Sequence, residues 1–225
     1  MSSEGKKLSG IKKAMAKQMI RSWTDVPQFQ LSTTIRCDEL IRYRKELPTK
    51  VSYTAIIAKA VAKALQKYPE INQHFDGECV TKADEVAIGI ASDTKRGLLV
   101  PVISDVPNKS LAMIQANLET IKEQSNVGKF AVEELTGGTF TISNLGMFNV
   151  EQFSSIVNAP QIGILAVGKI TKAAVINEEG QVVAASVMHP VVTLDHRVAD
   201  GALGARFLTY LCDLLEHPME KIPKE

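Results

Sequence analysis

Apolar residues recur along the chain with two periods, one typical of helices and one typical of strands. Spacings of three or four predict helices at 11–20, 38–47, 52–66, 110–121 and 202–215. Short apolar or alternating runs predict strands at 28–36, 86–91, 98–103, 138–143, 162–167, 182–187 and 191–194. The two kinds of element alternate, without a repeat or a linker rich in Pro, Gly or Ser. We therefore predict one α/β domain, residues 1–225, with a mixed central sheet.

Polar residues indicate where several of these elements begin and end. Asp38 and Ser110 are candidate N-caps, because their side chains can accept hydrogen bonds from the first turn of a helix. Pro69 lies just past the end of the third predicted helix, where a proline is a natural stop. The stretch Thr-Lys-Arg-Gly at 94–97 predicts a turn between two strands.

The first predicted helix carries basic residues among its apolar ones, including Lys12, Lys13, Lys17 and Arg21. Such a helix is compatible with contact to a membrane or to RNA. The solvated face of an ordinary amphipathic helix explains the same pattern, and we favour it. The whole chain has 26 basic and 25 acidic residues, which gives no global field for nucleic acid or for an anionic membrane.

The composition is that of a globular protein, with 225 residues, 45% of them hydrophobic and 23% charged. No apolar run approaches the roughly 20 residues of a membrane span. The start of the chain, residues 1–5, lacks the apolar segment of a signal peptide. Three widely spaced cysteines, Cys37, Cys79 and Cys212, favour a reducing compartment over a disulfide framework. We therefore expect a cytoplasmic protein, or one of the mitochondrial matrix if it is eukaryotic.

One of the four histidines is a candidate general base. His74 lies in a polar stretch typical of the surface, His189 lies in a loop, and His217 lies at a helix end. His196 leaves an apolar strand within the segment DHRVADG at 195–201, where we expect one side of its ring to be desolvated. Desolvation keeps imidazole in the neutral form that accepts a proton. A core histidine with satisfied hydrogen bonds is the alternative, which the spacing alone favours.

Asp200, four residues after His196, has two interpretations of similar weight. It is either the N-cap of the last helix or part of a site with the histidine. Gly201 would then be a position where another group comes close to the backbone. A metal site is not favoured, because no second His or Cys lies nearby in the sequence to complete a ligand set.

A second candidate constellation is the glycine-bounded segment GGTFTISNLG at 137–146. Ser143 could act as a nucleophile, although no G-x-S-x-G elbow surrounds it. It could instead donate a hydrogen bond to an oxyanion. The alternative, favoured without further context, is a turn in which Ser143 and Asn144 satisfy backbone groups.

Several motifs together resemble one known family. They are DHRVADG at 195–201, GTFTISNLGMF at 138–148, IVNAPQ at 156–161, ILAVG at 164–168, GLLVPVI at 97–103 and LSGI at 8–11. In this order they are similar to the catalytic domain of the dihydrolipoamide acyltransferase component of 2-oxo acid dehydrogenase complexes. The strand-end motif and the Asn-Ala-Pro-Gln stretch look more like the acetyl-transferring branch, which serves pyruvate or acetoin, than the succinyl or branched-chain branches.

The resemblance implies an acyl transfer from dihydrolipoamide to coenzyme A, with no metal and no bound redox cofactor. In the family's pattern, His196 takes the proton of the attacking thiol and Ser143 donates a hydrogen bond to the oxyanion. Asp200 organises the site without moving protons. The polar residues Ser52, Thr54, Lys95 and Arg96 are our candidates for binding coenzyme A.

The resemblance also implies a fold and an assembly. The family fold is a chloramphenicol acetyltransferase-like two-layer sandwich that forms a homotrimer with active sites between subunits. Family trimers build hollow cores of 24 or 60 chains, whose partners are lipoyl domains and the dehydrogenase components of the complex. Lipoyl and peripheral-subunit-binding domains usually precede this domain, and no sequence of either kind occurs in the 225 residues.

Two departures from the family pattern bear on the site. Asn149 stands where the family often has Gly, and Lys12 and Lys17 stand where it often has Arg. The resemblance implies that one such arginine pairs with the motif aspartate, so the partner of Asp200 is open. Two other functions are compatible with the sequence, a free-standing acyltransferase acting on a small amine or alcohol and a structural core subunit without catalysis.

Overall fold

A computed structural model describes Leu8 and residues 10–224 of the chain. The helices are α1 Gly10–Asp25, α2 Asp38–Glu46, α3 Tyr53–Lys67, α4 Leu111–Val127, α5 Gly201–Glu216 and α6 Pro218–Lys221. The strands are β1 Gln28–Ser32, β2 Ile35–Arg36, β3 Gln73–Phe75, β4 Val80–Lys82, β5 Ile88–Ile90, β6 Ser92–Thr94, β7 Gly97–Leu99, β8 Val102–Ile103, β9 Phe140–Asn144, β10 Gly163–Val167, β11 Thr171–Ile176, β12 Val182–Met188 and β13 Val191–Asp195. Every predicted helix is present. The interpretation of residues 1–5 lies outside the described residues.

The central sheet has six strands in the order β1-β13-β10-β9-β5-β8. Strand β9 runs parallel to both of its neighbours, whereas the other pairs are antiparallel. The predicted mixed α/β architecture is therefore confirmed. Strands β10 and β13 are buried along their whole length, which explains their nearly uninterrupted apolar sequences.

Helices α3 and α5 pack against each other, and their buried residues form one hydrophobic core with those of the central sheet. Helix α3 is buried from Ala55 to Ala62, because Ala, Ile and Val occupy nearly every position of that stretch. Its Lys59 is an exception: the ammonium donates to the carbonyls of Pro107 and Lys109 at 2.8 and 2.6 Å. Burial lowers the pKa of this lysine, and the two carbonyls satisfy it.

The sequence analysis predicted one strand at 28–36, and the structure divides it. Strand β1 pairs with β13 in the central sheet, and β2 pairs with β12 in a second sheet of order β11-β12-β2. The register is the same on both sides of the break, with Ser32 opposite Val191 and Ile35 opposite Met188. The ladder is interrupted opposite Pro190, which has no N–H to donate.

The predicted strand at 98–103 is divided for the same reason. Pro101 separates β7, which forms a hairpin with β6, from β8, which pairs with β5. The predicted turn at 94–97 is confirmed as the tip of that hairpin. The sequence analysis missed β11 and the hairpin of β3 and β4, whose second strand is fully exposed and carries no apolar alternation.

Two interpretations of polar residues in this region were wrong. Asp38 does not cap α2; Cys37 is the N-cap residue, and both oxygens of Asp38 accept from the Ser186 N–H at 3.1 and 3.3 Å. His74 is not a free surface residue but lies half-buried in β3, with Nε2 2.9 Å from the Gly138 carbonyl oxygen. By contrast, Ser110 caps α4 as predicted, accepting from the Met113 N–H at 3.2 Å.

The three cysteines are unpaired and differ in accessibility. Burial raises the pKa of Cys37 to about 12 and that of Cys212 to about 11, whereas Cys79 is exposed. Among the described residues, no helix is both long enough and apolar enough to cross a bilayer.

We expect Gly168→Ala to destabilise the fold, because a Cβ at this position would overlap the backbone carbonyl group of Glu151. Backbone atoms cannot move aside as a flexible side chain can, and overpacking of this kind typically costs about 1–3 kcal/mol. Gly10→Ala is the control, since a Cβ there meets no atom within 4 Å. Urea unfolding of the two variants measures the difference, and equal midpoints would contradict the packing.

Candidate functional site

Ser143 lies near the end of β9, on a face of the strand that otherwise carries threonines. Alternate residues of a strand share a face, so Thr139, Thr141 and Ser143 point the same way. Thr139 Oγ1 donates to Asn72 Oδ1 and Thr141 Oγ1 donates to Gln161 Oε1, both at 2.6 Å. The Ser143 hydroxyl makes no hydrogen bond to any part of the chain that the structure describes, and it is half-buried. It is therefore available to a ligand.

The predicted turn with satisfied side chains applies to Asn144 and not to Ser143. Asn144 Oδ1 accepts from the Gly146 N–H at 2.7 Å, and its Nδ2 donates to Thr54 Oγ1 at 2.9 Å. These two bonds join the end of β9 to the first turn of α3. Because Asn144 points towards the helices, its neighbour Ser143 points to the opposite face of the sheet.

Two of the coenzyme A candidates border a cavity of about 390 Å³ beside this strand end. The cavity is lined by Arg44, Ser52, Tyr53, Thr54, Ile57, Asn144, Gly146, Met147, Val167, Gly168, Ile170 and Met188. Ser52 is the N-cap of α3, and its Oγ accepts from the Ala55 N–H at 3.2 Å. The hydroxyl of Thr54 accepts the hydrogen bond from Asn144 Nδ2. Both hydroxyls thus have structural partners already.

The other two candidates, Lys95 and Arg96, form the exposed two-residue tip of the β6–β7 hairpin. This hairpin leaves the sheet beside β9, since the Ala91 N–H donates to the Ile142 carbonyl at 2.9 Å. Arg96 also reaches the carbonyl of Gly128 at the end of α4, at 3.5 Å. All four candidates therefore lie at the Ser143 end of the sheet, in two separate groups.

His196 occupies the first position after β13, and its backbone N–H donates to the Pro27 carbonyl at 3.0 Å. The imidazole is exposed in the single chain, so the expectation of a desolvated ring was wrong at this level of structure, as was the alternative of a core histidine. The ring lies 4.6 Å from the ring of Phe29, centroid to centroid, at an interplanar angle of 54°. Neither ring nitrogen has a hydrogen-bond partner within the described residues.

The two carboxylates nearest in sequence to His196 are engaged elsewhere. Asp195 is buried and accepts from Arg197 Nε at 2.9 and 3.1 Å and from its Nη2 at 2.7 Å. These bonds raise the pKa of the Arg197 guanidinium further, and this group also stacks on the Phe75 ring at 4.6 Å. Asp200 Oδ1 accepts from the Leu203 N–H at 2.7 Å, which confirms the interpretation of Asp200 as the N-cap of α5.

The structure shows where two departures from the family pattern, Lys12 and Asn149, lie relative to the site. Lys12, one of the lysines that replace the family's arginines, lies with its side chain against Gly97 in the β6–β7 hairpin. That hairpin is at the Ser143 end of the sheet, far from Asp200 in the same chain. Asn149, the other departure, accepts from Lys169 Nζ at 2.6 Å and so ties the loop after β9 to the end of β10.

Strand directions place Ser143 and His196 at opposite ends of the sheet. Ser143 lies beside Ala166 of β10, whereas the Asp195 N–H donates to the Ile162 carbonyl four residues earlier. His196 lies one residue further along, so at about 3.3 Å per residue and about 4.8 Å per strand the two positions are separated by about 17 Å along the strands and about 10 Å across them. This separation of about 19 Å exceeds hydrogen-bond reach several-fold. One chain therefore does not bring the two residues together.

The sequence analysis missed Phe29, Gln161 and the Asn144–Thr54 pair. Gln161 belongs to the quoted Asn-Ala-Pro-Gln stretch, but nothing in the sequence indicated that it bonds Thr141, twenty positions earlier. Phe29 was part of a predicted strand, and only the pairing of β1 with β13 places it beside His196. In the described part of the chain, no group of three or more His, Cys, Asp or Glu side chains is arranged to hold a metal ion.

A family model described as the 2-oxoacid dehydrogenases acyltransferase catalytic domain matches residues 2–222. The chain belongs to this acyltransferase family. The dihydrolipoyllysine-residue acetyltransferase component of the Rickettsia prowazekii pyruvate dehydrogenase complex is a relative, 33% identical over 219 residues. The match covers 94% of this chain and 53% of the relative, so the chain spans about half the length of that protein.

Solved structures of acyltransferases agree with this membership. The dihydrolipoamide acetyltransferase of Azotobacter vinelandii matches with a TM-score of 0.91 and 30% identity, covering 99% of this chain and 95% of the other. Its study concerns the catalytic roles of a serine, a histidine 52 positions later and an asparagine four positions after that. The cubic core of a pyruvate dehydrogenase multienzyme complex matches equally well, with a TM-score of 0.91 and the same coverage. Chloramphenicol acetyltransferase, at 15% identity and a TM-score of 0.56, confirms the predicted fold class.

For this acyltransferase-family chain we predict that Asp200→Ala lowers the free energy of unfolding by about 1 kcal/mol, the usual cost of losing an N-cap. Asp200→Asn should retain most of that free energy, because an amide oxygen accepts the Leu203 N–H equally well. Urea unfolding of both variants measures the two effects. Equal losses for Ala and Asn would mean that the charge, and not the cap, is what matters at this position.

Proposed function

We propose that the chain transfers an acetyl group between a dihydrolipoamide thioester and coenzyme A, with His196 as general base and Ser143 as oxyanion donor. The observation that carries this proposal is that neither side chain has a hydrogen-bond partner among the described residues. The other hydroxyls on the Ser143 face of β9 are bonded within the chain. Two polar groups without internal partners, each exposed or half-buried, are equipped to act on a ligand.

The spacing of these residues supports the same roles. Ser143 and His196 are 53 positions apart, and Asp200 follows His196 by four. The serine, histidine and asparagine whose catalytic roles were studied in the Azotobacter vinelandii enzyme have corresponding separations of 52 and four. Asp200 stands in the position of that asparagine. Since its carboxylate caps α5, we assign it the task of holding the turn after His196 in place.

The reaction requires a base because a thiol with a pKa near about 8.5 is mostly protonated at neutral pH. An imidazole nitrogen of His196 accepts the proton of the coenzyme A thiol as its sulfur attacks the thioester carbonyl carbon. The carbonyl oxygen becomes an oxyanion, to which the Ser143 hydroxyl donates a hydrogen bond. The tetrahedral intermediate then expels the dihydrolipoamide sulfur, which takes the proton back from the imidazolium. Acetyl-coenzyme A and dihydrolipoamide result, and His196 is neutral again.

We further propose that the working site lies between two chains of a homotrimer. A separation of about 19 Å within one chain leaves each residue without its counterpart. In a cyclic assembly the His196 end of the sheet in one chain can meet the Ser143 end of the sheet in the next chain. Each interface then brings one histidine and one serine together. Exposed apolar side chains next to the Ser143 strand end, Met147 and Phe148, give such an interface its apolar surface.

Coenzyme A is proposed to approach from the Ser143 end. The exposed tip of the β6–β7 hairpin carries Lys95 and Arg96, whose charges suit the nucleotide phosphates. Thr54 and Ser52, beside the strand end, line the other side of the approach. The hydroxyls of these two residues have partners within the chain, so we assign phosphate binding to the basic hairpin.

The proposed partners follow from the relatives. The chain would form the core of a pyruvate or acetoin dehydrogenase complex, receiving acetyl groups from lipoyl domains and working beside the dehydrogenase components. The cubic core among the matching structures supports assembly of trimers into a 24-chain cage, with 60 chains as the larger alternative. Native mass measurement distinguishes a lone trimer from either cage.

We predict that His196→Ala lowers the rate of acetyl transfer about 10²–10⁴-fold, the usual loss on removing a general base. The assay is acetyl transfer between acetyl-dihydrolipoamide and saturating coenzyme A, with assembly checked by native mass. His189→Ala is the control, because it removes another imidazole, which in the described structure is hydrogen-bonded to the exposed Thr34 hydroxyl. Near-normal transfer by His196→Ala would refute the assignment of the base.

Mixed trimers test the shared site. Ser143→Ala alone should lower kcat about 10²–10³-fold, the usual effect of losing one oxyanion donor. Mixing His196→Ala chains with Ser143→Ala chains should restore a statistical fraction of activity, because some interfaces then pair an intact histidine with an intact serine. If both residues acted within one chain, every site would keep one lesion. No recovery after subunit exchange, verified by mass, would contradict the shared site.

A further inference from the structure

Among the described residues, the imidazole of His196 has no polar partner of the kind that usually orients a catalytic histidine. In serine hydrolases a buried carboxylate holds the imidazole in its tautomer and orientation. Here both neighbouring carboxylates are occupied, Asp195 by Arg197 and Asp200 by the Leu203 N–H. Only the backbone of His196 is held, through its N–H. Within the described chain, the ring of Phe29 is the aromatic group that contacts the imidazole.

The Phe29 ring packs against helix α5 as well as against His196. It lies in β1 opposite Leu194, and its half-buried ring packs towards α5 at Gly204. A Cβ at Gly204 would lie 3.4 Å from Phe29 Cζ and 2.8 Å from the side chains of Leu31 and Leu194. The helix thus approaches this strand pair as closely as a glycine allows. The Phe29 ring is fixed between a packed helix on one side and the imidazole on the other.

We infer that Phe29 is a positioning residue that orients the imidazole of His196 by ring contact, in place of a carboxylate. This inference rests on the proposed function, in which His196 is the base. A ring at 4.6 Å and 54° excludes part of the rotation that an exposed imidazole would otherwise have. Proton transfer requires the accepting nitrogen within hydrogen-bond distance of the thiol, and small misplacements of reacting groups cost up to about 10²-fold in rate.

We expect Phe29→Ala to lower kcat about tenfold, with the KM for coenzyme A little changed because we assign phosphate binding to Lys95 and Arg96 and not to Phe29. Phe29→Tyr should retain the rate, since the ring remains. Leu31→Ala is the matched control. It removes an apolar side chain from the same strand and the same packing against Gly204, but Leu31 lies opposite Val192, four residues before His196. Its kcat should stay within about twofold of the wild type.

A double-mutant cycle separates positioning from a general loss of packing. At a pH near about 9, where the thiol is partly ionised without a base, the residual rate of His196→Ala is measured with and without Phe29→Ala. If Phe29 acts through the imidazole, the second substitution changes nothing further. Should Phe29→Ala fail to assemble, Phe29→Leu replaces it, with an expected decrease between those of Tyr and Ala.

Two results would overturn the inference while leaving the proposed function intact. One is a Phe29→Ala rate equal to that of Leu31→Ala. The other is a tenfold decrease that persists in the His196→Ala background. In contrast, near-normal transfer by His196→Ala on its own would show that the proposed function is wrong before Phe29 is considered.

Discussion

The directions of three neighbouring strands determine where this chain can carry out chemistry. Strand β13 runs antiparallel to β10, whereas β9 runs parallel to β10. The C-terminal ends of β13 and β9 therefore lie at opposite ends of the sheet. His196 follows the first of these ends and Ser143 lies at the second. Side chains beyond strand ends are free to meet ligands, but these two cannot meet each other within one chain. The proposed trimer is a consequence of that geometry.

Satisfaction of buried polar groups explains which of the remaining side chains are free to act. Thr141 is bonded to Gln161, Asp195 is bonded to Arg197, and Asp200 caps a helix. An unpaired group at Thr141 or Asp195 would cost free energy, since burial removes its water. The chain therefore uses its carboxylates to hold the backbone around His196 and leaves the imidazole in contact with an aromatic ring. Because both carboxylates are engaged elsewhere, we infer that packing against Phe29, and not an ion pair, orients the imidazole.

Much of the fold could be predicted from periodicity, because burial on one face imposes the same pattern wherever it occurs. The predictions failed where the hydrogen-bonded pairing of strands, and not the apolar pattern, sets the bounds of an element. Strands broke at Pro101 and opposite Pro190, where a missing N–H interrupts a ladder, and the exposed strand β4 carries no apolar signal at all. Asp38 has the chemistry of a cap but bonds Ser186, because β12 passes beside the start of α2.

The sequence by itself determined the residue types and the order of the motifs, and with them the family and the candidates His196, Ser143 and Asp200. These follow from the chain because residue identity and local spacing are properties of the chain. Only the tertiary structure decided that Asp200 is a cap, that the Ser143 hydroxyl has no partner in the described part of the chain, and that Phe29 lies against His196. Each of those depends on a hydrogen bond or a contact between strands and helices whose relative placement comes from packing, which no local pattern encodes.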